Sequence, residues 1–397
     1  MRGMDDIKRR PHRRRLVPTA INDPQPVAAT EPETPKPKLA ETNPTKPHRH
    51  RRILVVALVS FVLLGLGGGG LYLVSRPAGS SRILVIGPSP TTAPSPTPLT
   101  AVSPLTGKRV DPAIAAQPIV GVVIENHPDA RPQSGLADAG VVYEANAEGG
   151  ITRFLAFYLD TLPASLGPVR SLRTYFVDWG LEFNSPVAHA GGNQDALDLV
   201  KPLGLKDLNA LSGAANSFFR TTDRVAPHNL YTSNTKLTSL LKQFGYTGPA
   251  DFVASPRQAD APAAGAQHPK IHIEFSYSGY QVDYAYDAAS NDYARNMAGT
   301  PHLDRNTGQQ IHVKNIVIEM MPTSYGVTRI GEQTVIMQTI GKGKGWVIRD
   351  GNAIPVTWSK TSRTNRTQLL DDAGKDVPLD AGNTWYEIVP SGNTVSI

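Results

Sequence analysis

The chain has 397 residues, no cysteine and a formal net charge of +6 at pH 7. The charge is uneven, because residues 1–52 contain 13 Lys and Arg against 6 Asp and Glu, which leaves 27 against 28 for residues 53–397. The lack of cysteine excludes a thiol nucleophile, thiolate metal ligands and a lipid-modified cysteine. The nearly neutral remainder argues against a general nucleic-acid-binding surface there.

The N-terminal part contains a basic segment followed by an apolar one. Residues 1–52 are basic, proline-rich and poor in apolar side chains, which predicts a disordered tail. The next 22 residues carry no charge, and about 20 apolar residues are enough to cross a hydrocarbon core. We therefore predict a single transmembrane helix over residues 53–75. The preceding basic run, HRHRR, predicts a cytoplasmic N-terminus and an extracytoplasmic remainder. A signal peptide is the alternative, although its apolar region is usually shorter.

A spacer and a first folded domain are predicted next. Residues 76–103 include GPSPTTAPSPTP, a composition typical of an extended spacer. From residue 104, short apolar strands alternate with helical patterns, which predicts a layered α/β-type domain over residues 104–250. Strands are expected at 119–124, 141–143, 154–159 and 187–189, and helices at 169–183, 195–200 and 236–244. Ser233 is the predicted N-cap of the last helix.

The C-terminal part is rich in strand patterns. Residues 251–269 are rich in Ala and Pro and are predicted to be a linker, and residues 270–397 are predicted to form an antiparallel β-rich domain. Within it, the run GKGKG at 341–345 lacks the phosphate-loop pattern, so we predict a hairpin turn. The predicted fold class is α+β, with a single transmembrane helix, a layered α/β-type domain and a C-terminal antiparallel β-rich domain.

The part of the chain that follows residue 103 resembles the YerB-like lipoprotein family of bacterial envelope proteins. The matching segments, in chain order, are PLTGKRVD (104–111), ENHPDARPQSGLADAGVVYEANAEGGITRFLAFY (125–158), GPVRSLRTYFVD (167–178), HAGGNQDAL (189–197), APHNLYTS (226–233), FSYSGYQVDYAYD (275–287), PHLDRNTGQQIHVKNIVI (301–318) and GKGKGWVIRDGNAIPVTWSK (341–360). The resemblance implies paired N- and C-terminal domains of unknown function and an envelope location. It implies no reaction or ligand. Family members are typically anchored through an N-terminal cysteine, from which this chain departs.

Two arginines are the first candidate ligand-binding residues. Arg170 and Arg173 are three residues apart in the first turn of the predicted helix 169–183, so they are expected to share a face. Guanidinium groups near free helix N–H groups suit a phosphate or carboxylate ligand. Internal pairing with nearby carboxylates, such as Glu144 or Glu148, is the alternative.

Polar side chains also follow three predicted strands or loops. In layered sheets, ligands gather at the carboxyl ends of the strands. Convergence of their histidines would provide acid–base capability near neutral pH. The complete set of predicted ligand-binding residues is Glu125, Asn126, His127, Arg131, Glu144, Arg153, Arg170, Arg173, His189, Asp195, His228 and Asn229. No compact histidine motif is present, so neither a metal nor another cofactor is predicted.

Three functions remain open at this level. The leading hypothesis is a membrane-anchored binding module for an anionic or glycan envelope ligand. The first alternative is a hydrolase that uses the histidines with Glu125, Glu144 or Asp195. The second is a scaffold for partner proteins. A histidine and a carboxylate within hydrogen-bonding reach favour the enzyme, whereas internally paired arginines favour the scaffold.

Overall fold

The computed structural model describes residues 100–249, 251–262 and 265–397. The predicted tail (1–52), the predicted transmembrane helix (53–75) and nearly all of the predicted spacer (76–103) lie outside the described residues. Among the described residues, no helix has both the length and the apolar character needed to cross a membrane. The described residues therefore give the predicted single-pass architecture no support.

The described residues are mostly β-sheet, with four α-helices. The helices are α1 (Pro112–Ala115), α2 (Thr174–Glu182), α3 (Gln194–Leu203) and α4 (Asn234–Gln243). The strands before residue 250 are β1 (Ala101–Val102), β2 (Arg109–Val110), β3 (Val120–Glu125), β4 (Val141–Asn146), β5 (Thr152–Tyr158), β6 (Val187–His189), β7 (Asp207–Asn209), β8 (Phe219–Arg220) and β9 (Leu230–Tyr231). Local patterning accounts for several of these elements, including α4, which begins after Ser233 as predicted and is capped by its side chain.

Fifteen further strands follow residue 250 in the described part of the chain. They are β10 (Arg257–Gln258), β11 (Lys270–Glu274), β12 (Gln281–Asp287), β13 (Asp292–Met297), β14 (Thr300–Pro301), β15 (His312–Val313), β16 (Asn315–Met321), β17 (Thr323–Val327), β18 (Gln333–Met337), β19 (Gly341–Arg349), β20 (Asn352–Lys360), β21 (Gln368–Leu370), β22 (Leu379–Asp380), β23 (Thr384–Pro390) and β24 (Val395–Ser396).

A ten-stranded mixed sheet organises the fold, in the order β21-β20-β19-β16-β23-β4-β5-β3-β6-β7. Strands from both halves of the chain meet where β23 pairs with β4 in parallel, with Glu387 opposite Glu144. The predicted fold class is therefore wrong in a second respect, since the C-terminal strands do not form only an antiparallel sheet of their own. A smaller sheet, β14-β13-β12-β11-β24 with β15 on β13, is antiparallel.

Each face of the ten-stranded sheet is covered by a hydrophobic core. On one face, Tyr143 stacks between Trp179 of α2 and Tyr386 of β23, with ring centroids 4.6 and 4.5 Å apart. On the other face, apolar side chains of the smaller sheet, such as Tyr284, pack with those of α4 and of the central strands. Burial on both faces explains why the central strands are apolar at consecutive positions.

Two predicted elements differ from the structure. The GKGKG run is not a turn but the beginning of β19, which pairs with β20 along its length and with β16 from Gly345 onward. Glycine is needed there because a Cβ at Gly343 or Gly345 would clash with the Trp358 ring or the Ile318 carbonyl. The helix predicted over 169–183 begins at Thr174. The preceding residues are extended, and their backbone N–H groups bond to neighbouring strands rather than to a helical turn.

Candidate functional site

The candidate site lies where β3 and β6 separate at their carboxyl ends. The two strands pair in parallel only through Gly121 and Val122. Beyond that point, residues 168–173 run between them, with the Arg170 N–H donating to the Val123 carbonyl and the Arg170 carbonyl accepting from Ala190. Such a separation at the carboxyl ends of parallel strands is a common place for a ligand site.

Glu125, the last residue of β3, is at the centre of the site. Its side chain is 1% exposed, and its two oxygens face different partners. Oε1 lies 3.0 Å from Nε of Arg170, and Oε2 lies 3.1 Å from Nδ1 of His228. These contacts are close but not aligned as hydrogen bonds. The buried carboxylate thus bridges an arginine and a histidine that come from separate loops.

The two histidines stand face to face beside Asp129. The rings of His127 and His228 stack with centroids 4.5 Å apart and planes 19° apart. His127 caps the short 3₁₀ turn Pro128–Ala130, since its Nδ1 accepts the Asp129 N–H at 3.2 Å. Nε2 of His228 lies 4.0 Å from the Asp129 carboxylate. The two imidazoles and the Asp129 carboxylate together form a partly exposed polar surface.

Arg153 lies behind this surface as a buried cation. It is opposite Glu125 in the antiparallel pairing of β3 and β5 and is 3% exposed. Its Nη1 donates to the Ser171 carbonyl at 3.0 Å, while its Nε has no hydrogen-bond partner among the described residues. Burial, followed by the charge of Arg173, lowers the pKa of Arg153 to about 10. Arg153 thus remains a cation without a carboxylate ion pair in the described structure.

Arg173 and Arg170 do not share a helix face, because both precede α2. Nε of Arg173 donates to both carboxylate oxygens of Glu148, at 2.7 and 2.9 Å. Burial raises the pKa of Glu148, but the bonds to Arg173 outweigh it and the pKa is lowered. Internal pairing, the alternative considered for these arginines, therefore describes Arg173 fully. It describes Arg170 only in part, since the Arg170 side chain is still 29% exposed.

Asn126, Arg131 and Glu144 lie below the site in a buried polar network that also contains Arg295 and His302. Nε of Arg131 donates to Asn126 at 2.9 Å, and the Asn126 amide lies 3.3 Å from Glu144. Arg295 donates to both Glu144 and His302. Because Arg295 belongs to β13 and Glu144 to β4, this network joins the two sheets and supports the site from beneath.

The three remaining predicted site residues lie elsewhere. His189 is fully buried, and its Nε2 is 2.6 Å from Asp207, which ties the end of β6 to β7. Asp195 is in the first turn of α3. Asn229 donates to backbone carbonyls of its own loop. The structure thus brings together Glu125, His127, Arg153, Arg170 and His228, and it adds Asp129, which sequence reasoning missed.

Comparisons with known proteins place this chain in a family. Residues 105–247 match the N-terminal domain model, and residues 271–386 the C-terminal domain model, of the "Protein of unknown function (DUF3048)" family. A relative from Bacillus subtilis (strain 168), named "Putative lipoprotein YerB", is 33% identical over 300 residues, which is 74% of this chain and 87% of the relative.

A solved structure agrees with this relationship. The crystal structure of the YerB protein from Bacillus subtilis covers 75% of this chain and 100% of its own, with 31% identity and a TM-score of 0.66. The relative is named a putative lipoprotein, and the described residues of this chain give the single-pass localisation predicted here no support. The resemblance recognised in the sequence is confirmed: the chain belongs to the YerB-like DUF3048 family, whose function is unknown.

Proposed function

We propose that the protein is a binding protein for a ligand that carries a phosphate or carboxylate group, which it holds at Arg170 above the buried Arg153. The observation that supports this proposal is the imbalance of buried charge. Arg153 and Arg170 are both cations, whereas Glu125 is the one fully buried carboxylate that contacts either of them in the described structure. Arg173 and Glu148 neutralise each other.

An anion would complete this arrangement. Removing a charge from water without a partner is costly, and the effective penalty in proteins is several kcal/mol. Asp129, the other nearby carboxylate, has a side chain that is 71% exposed, so water screens its charge. The accessible part of Arg170 can donate bidentately to a planar or tetrahedral anion, while Arg153 adds positive potential from beneath.

The substitution Arg170→Met is expected to weaken the binding of inorganic phosphate about tenfold or more, because a hydrogen bond to a charged group contributes roughly 1.5 to 3 kcal/mol. Isothermal titration of the full chain measures this loss. Arg329→Met is the matched control, since Arg329 pairs with Asp198 on the surface. Equal phosphate affinity in the parent and in Arg170→Met would contradict the proposal. A thermal-shift screen with phosphorylated, acidic and neutral glycan fragments then identifies the class of ligand.

Arg153→Met gives an independent check. In phosphate-free buffer this variant is expected to be more stable than the parent by about 1 kcal/mol or more, because replacing a poorly compensated buried charge by an apolar side chain is often stabilising. It is expected to gain less stability than the parent when phosphate is added. Denaturant titration with and without phosphate measures both effects. A variant that is less stable in both buffers would instead show that Arg153 is structural.

Hydrolysis is a second candidate function, which the contact between Glu125 and His228 favours. A buried carboxylate beside Nδ1 orients the ring and leaves Nε2 free to act as a general base. Turnover of the ligands found in the screen, and its loss in His228→Gln with binding retained, would distinguish an enzyme from a binding protein.

A further inference from the structure

We propose that His127, Asp129 and His228 form a binding site for a divalent transition-metal ion of the Zn²⁺ type. The inference goes beyond the anion site and does not depend on it. One ligand atom from each residue can be chosen so that all three atoms lie within 4.8 Å of one another. The site combines the loop after β3 with the loop before β9, so no short sequence motif announces it.

The distances between the donor atoms are suited to a single ion. Nδ1 of His127 is 3.6 Å from Oδ2 of Asp129, and the same oxygen is 4.0 Å from Nε2 of His228. Ligands about 2.1 Å from a tetrahedral zinc ion are about 3.4 Å from one another. These two pairs are therefore about 0.2 and 0.6 Å too far apart, and the exposed Asp129 side chain is free to close them. The stacked rings also have to tilt before both nitrogens can point at the ion, because an imidazole binds a metal in its own plane.

The surroundings of the His228 ring present the correct nitrogen. Glu125 lies against Nδ1 of His228, which leaves Nε2 directed toward Asp129. A carboxylate behind the distal nitrogen is the usual support of a metal-binding histidine, because it holds the tautomer and the ring orientation. Nδ1 of His127, the nitrogen close to the Asp129 carboxylate, accepts the Asp129 N–H at 3.2 Å, and the ion replaces this hydrogen bond when it binds.

The donor set indicates the class of ion. Two imidazoles with one carboxylate suit zinc and similar transition metals better than Mg²⁺ or Ca²⁺, which prefer oxygen ligands. Three protein ligands also leave a coordination position open for water or for a further ligand. A metal there would neutralise Asp129 and strengthen the attraction for anions at the neighbouring Arg170.

The test is a titration of the untagged full chain with Zn²⁺ alone, in which calorimetry measures the binding. The parent is expected to bind one more equivalent than the double variant His127→Gln/Asp129→Asn, or to bind that equivalent at least tenfold more tightly. His312→Gln is the matched control, because His312 and Asp292 form a similar exposed pair at 2.8 Å outside the site. Histidines elsewhere bind equally in both proteins, so the difference reports on this site.

The outcome that overturns the proposal is the same Zn²⁺ stoichiometry and affinity in the parent and the double variant. If the double variant does not fold, Asp129→Asn alone decides, since this side chain is largely exposed and its replacement leaves the core intact. Equal phosphate affinity in the parent and in Arg170→Met, with the Zn²⁺ difference retained, would refute only the anion site. Loss of the Zn²⁺ difference with phosphate binding retained would refute only the metal site.

Discussion

Replacing Arg295 by Met is expected to lower the free energy of unfolding by about 3 to 5 kcal/mol, because it leaves the buried Glu144 carboxylate without its cation. Arg295 is fully buried and contacts both Glu144 and Glu387, while its guanidinium also lies 4.4 Å from the centre of the Trp385 ring. Its Nε donates to the Tyr284 hydroxyl at 3.0 Å. Burial lowers the pKa of Arg295, but Tyr284 and the two carboxylates outweigh it and raise the pKa above its ordinary value.

Denaturant unfolding at neutral pH measures this loss, and Arg329→Met is again the control. Methionine fills most of the volume of the arginine stem, so the loss reports on charge rather than on a cavity. The exposed pair of Arg329 and Asp198 is expected to contribute less than about 1 kcal/mol. A loss in Arg295→Met as small as that of the control would contradict the role assigned to the network.

The loss in Arg295→Met should also grow above about pH 8. Burial and the neighbouring Glu144 raise the pKa of Glu387 to about 8, while Arg295 acts in the opposite direction. Removing Arg295 raises this pKa further, so above pH 8 the variant must either keep a proton that the parent releases or bury a charge without its cation. An equal deficit at neutral and at alkaline pH would indicate that Arg295 acts through packing instead.

Local patterns in the sequence predict most of the elements around the site. The apolar run ending at Glu125 forms β3, and Ser233 begins α4. Polar residues at the end of a buried strand are a local signal, and this signal points to Glu125 and His127, which lie at the carboxyl end of β3. Such signals depend only on residues close together in the chain, so they can be interpreted without knowledge of the fold.

Contacts between residues that are far apart in the chain cannot be predicted from local sequence patterns. Helical spacing suggested that Arg170 and Arg173 share a face, but the segment is extended because neighbouring strands supply partners for its N–H groups. His189 is the last residue of β6, yet its partner Asp207 comes from the neighbouring strand β7, and their contact is partly buried. Asp129 becomes a candidate site residue only because it lies close to His228, which belongs to a loop far away in the chain.

A pH-dependent loss of stability is the second large effect expected, and Glu319 causes it. This β16 residue is 1% exposed, and its Oε1 has no hydrogen-bond partner among the described residues. Burial and the nearby Glu182 raise the pKa of Glu319 to about 8, although Lys360 acts in the opposite direction. Its ordinary value is 4.5. The folded protein therefore keeps this proton at a pH where the unfolded chain has lost it.

The sign follows from proton binding. The contribution of Glu319 is fully present below about pH 4.5 and is lost as the pH rises to about 8, at up to about 1.4 kcal/mol per pH unit. Glu319→Gln keeps the shape but cannot ionise, so it should be more stable than the parent by about 4 to 5 kcal/mol above pH 8 and by less than about 1 kcal/mol near pH 5.

Denaturant unfolding of both proteins across this pH range isolates the contribution of Glu319, because all other titrating groups are common to them. Asp372→Asn is the matched control, since it makes the same change from carboxylate to amide on an exposed turn. This control should follow the parent at every pH. If Glu319→Gln also runs parallel to the parent from pH 5 to 9, then Glu319 is ionised in the folded state throughout. In that case the neighbouring Lys360, which bonds to Glu182 at 2.5 Å, stabilises both carboxylates together.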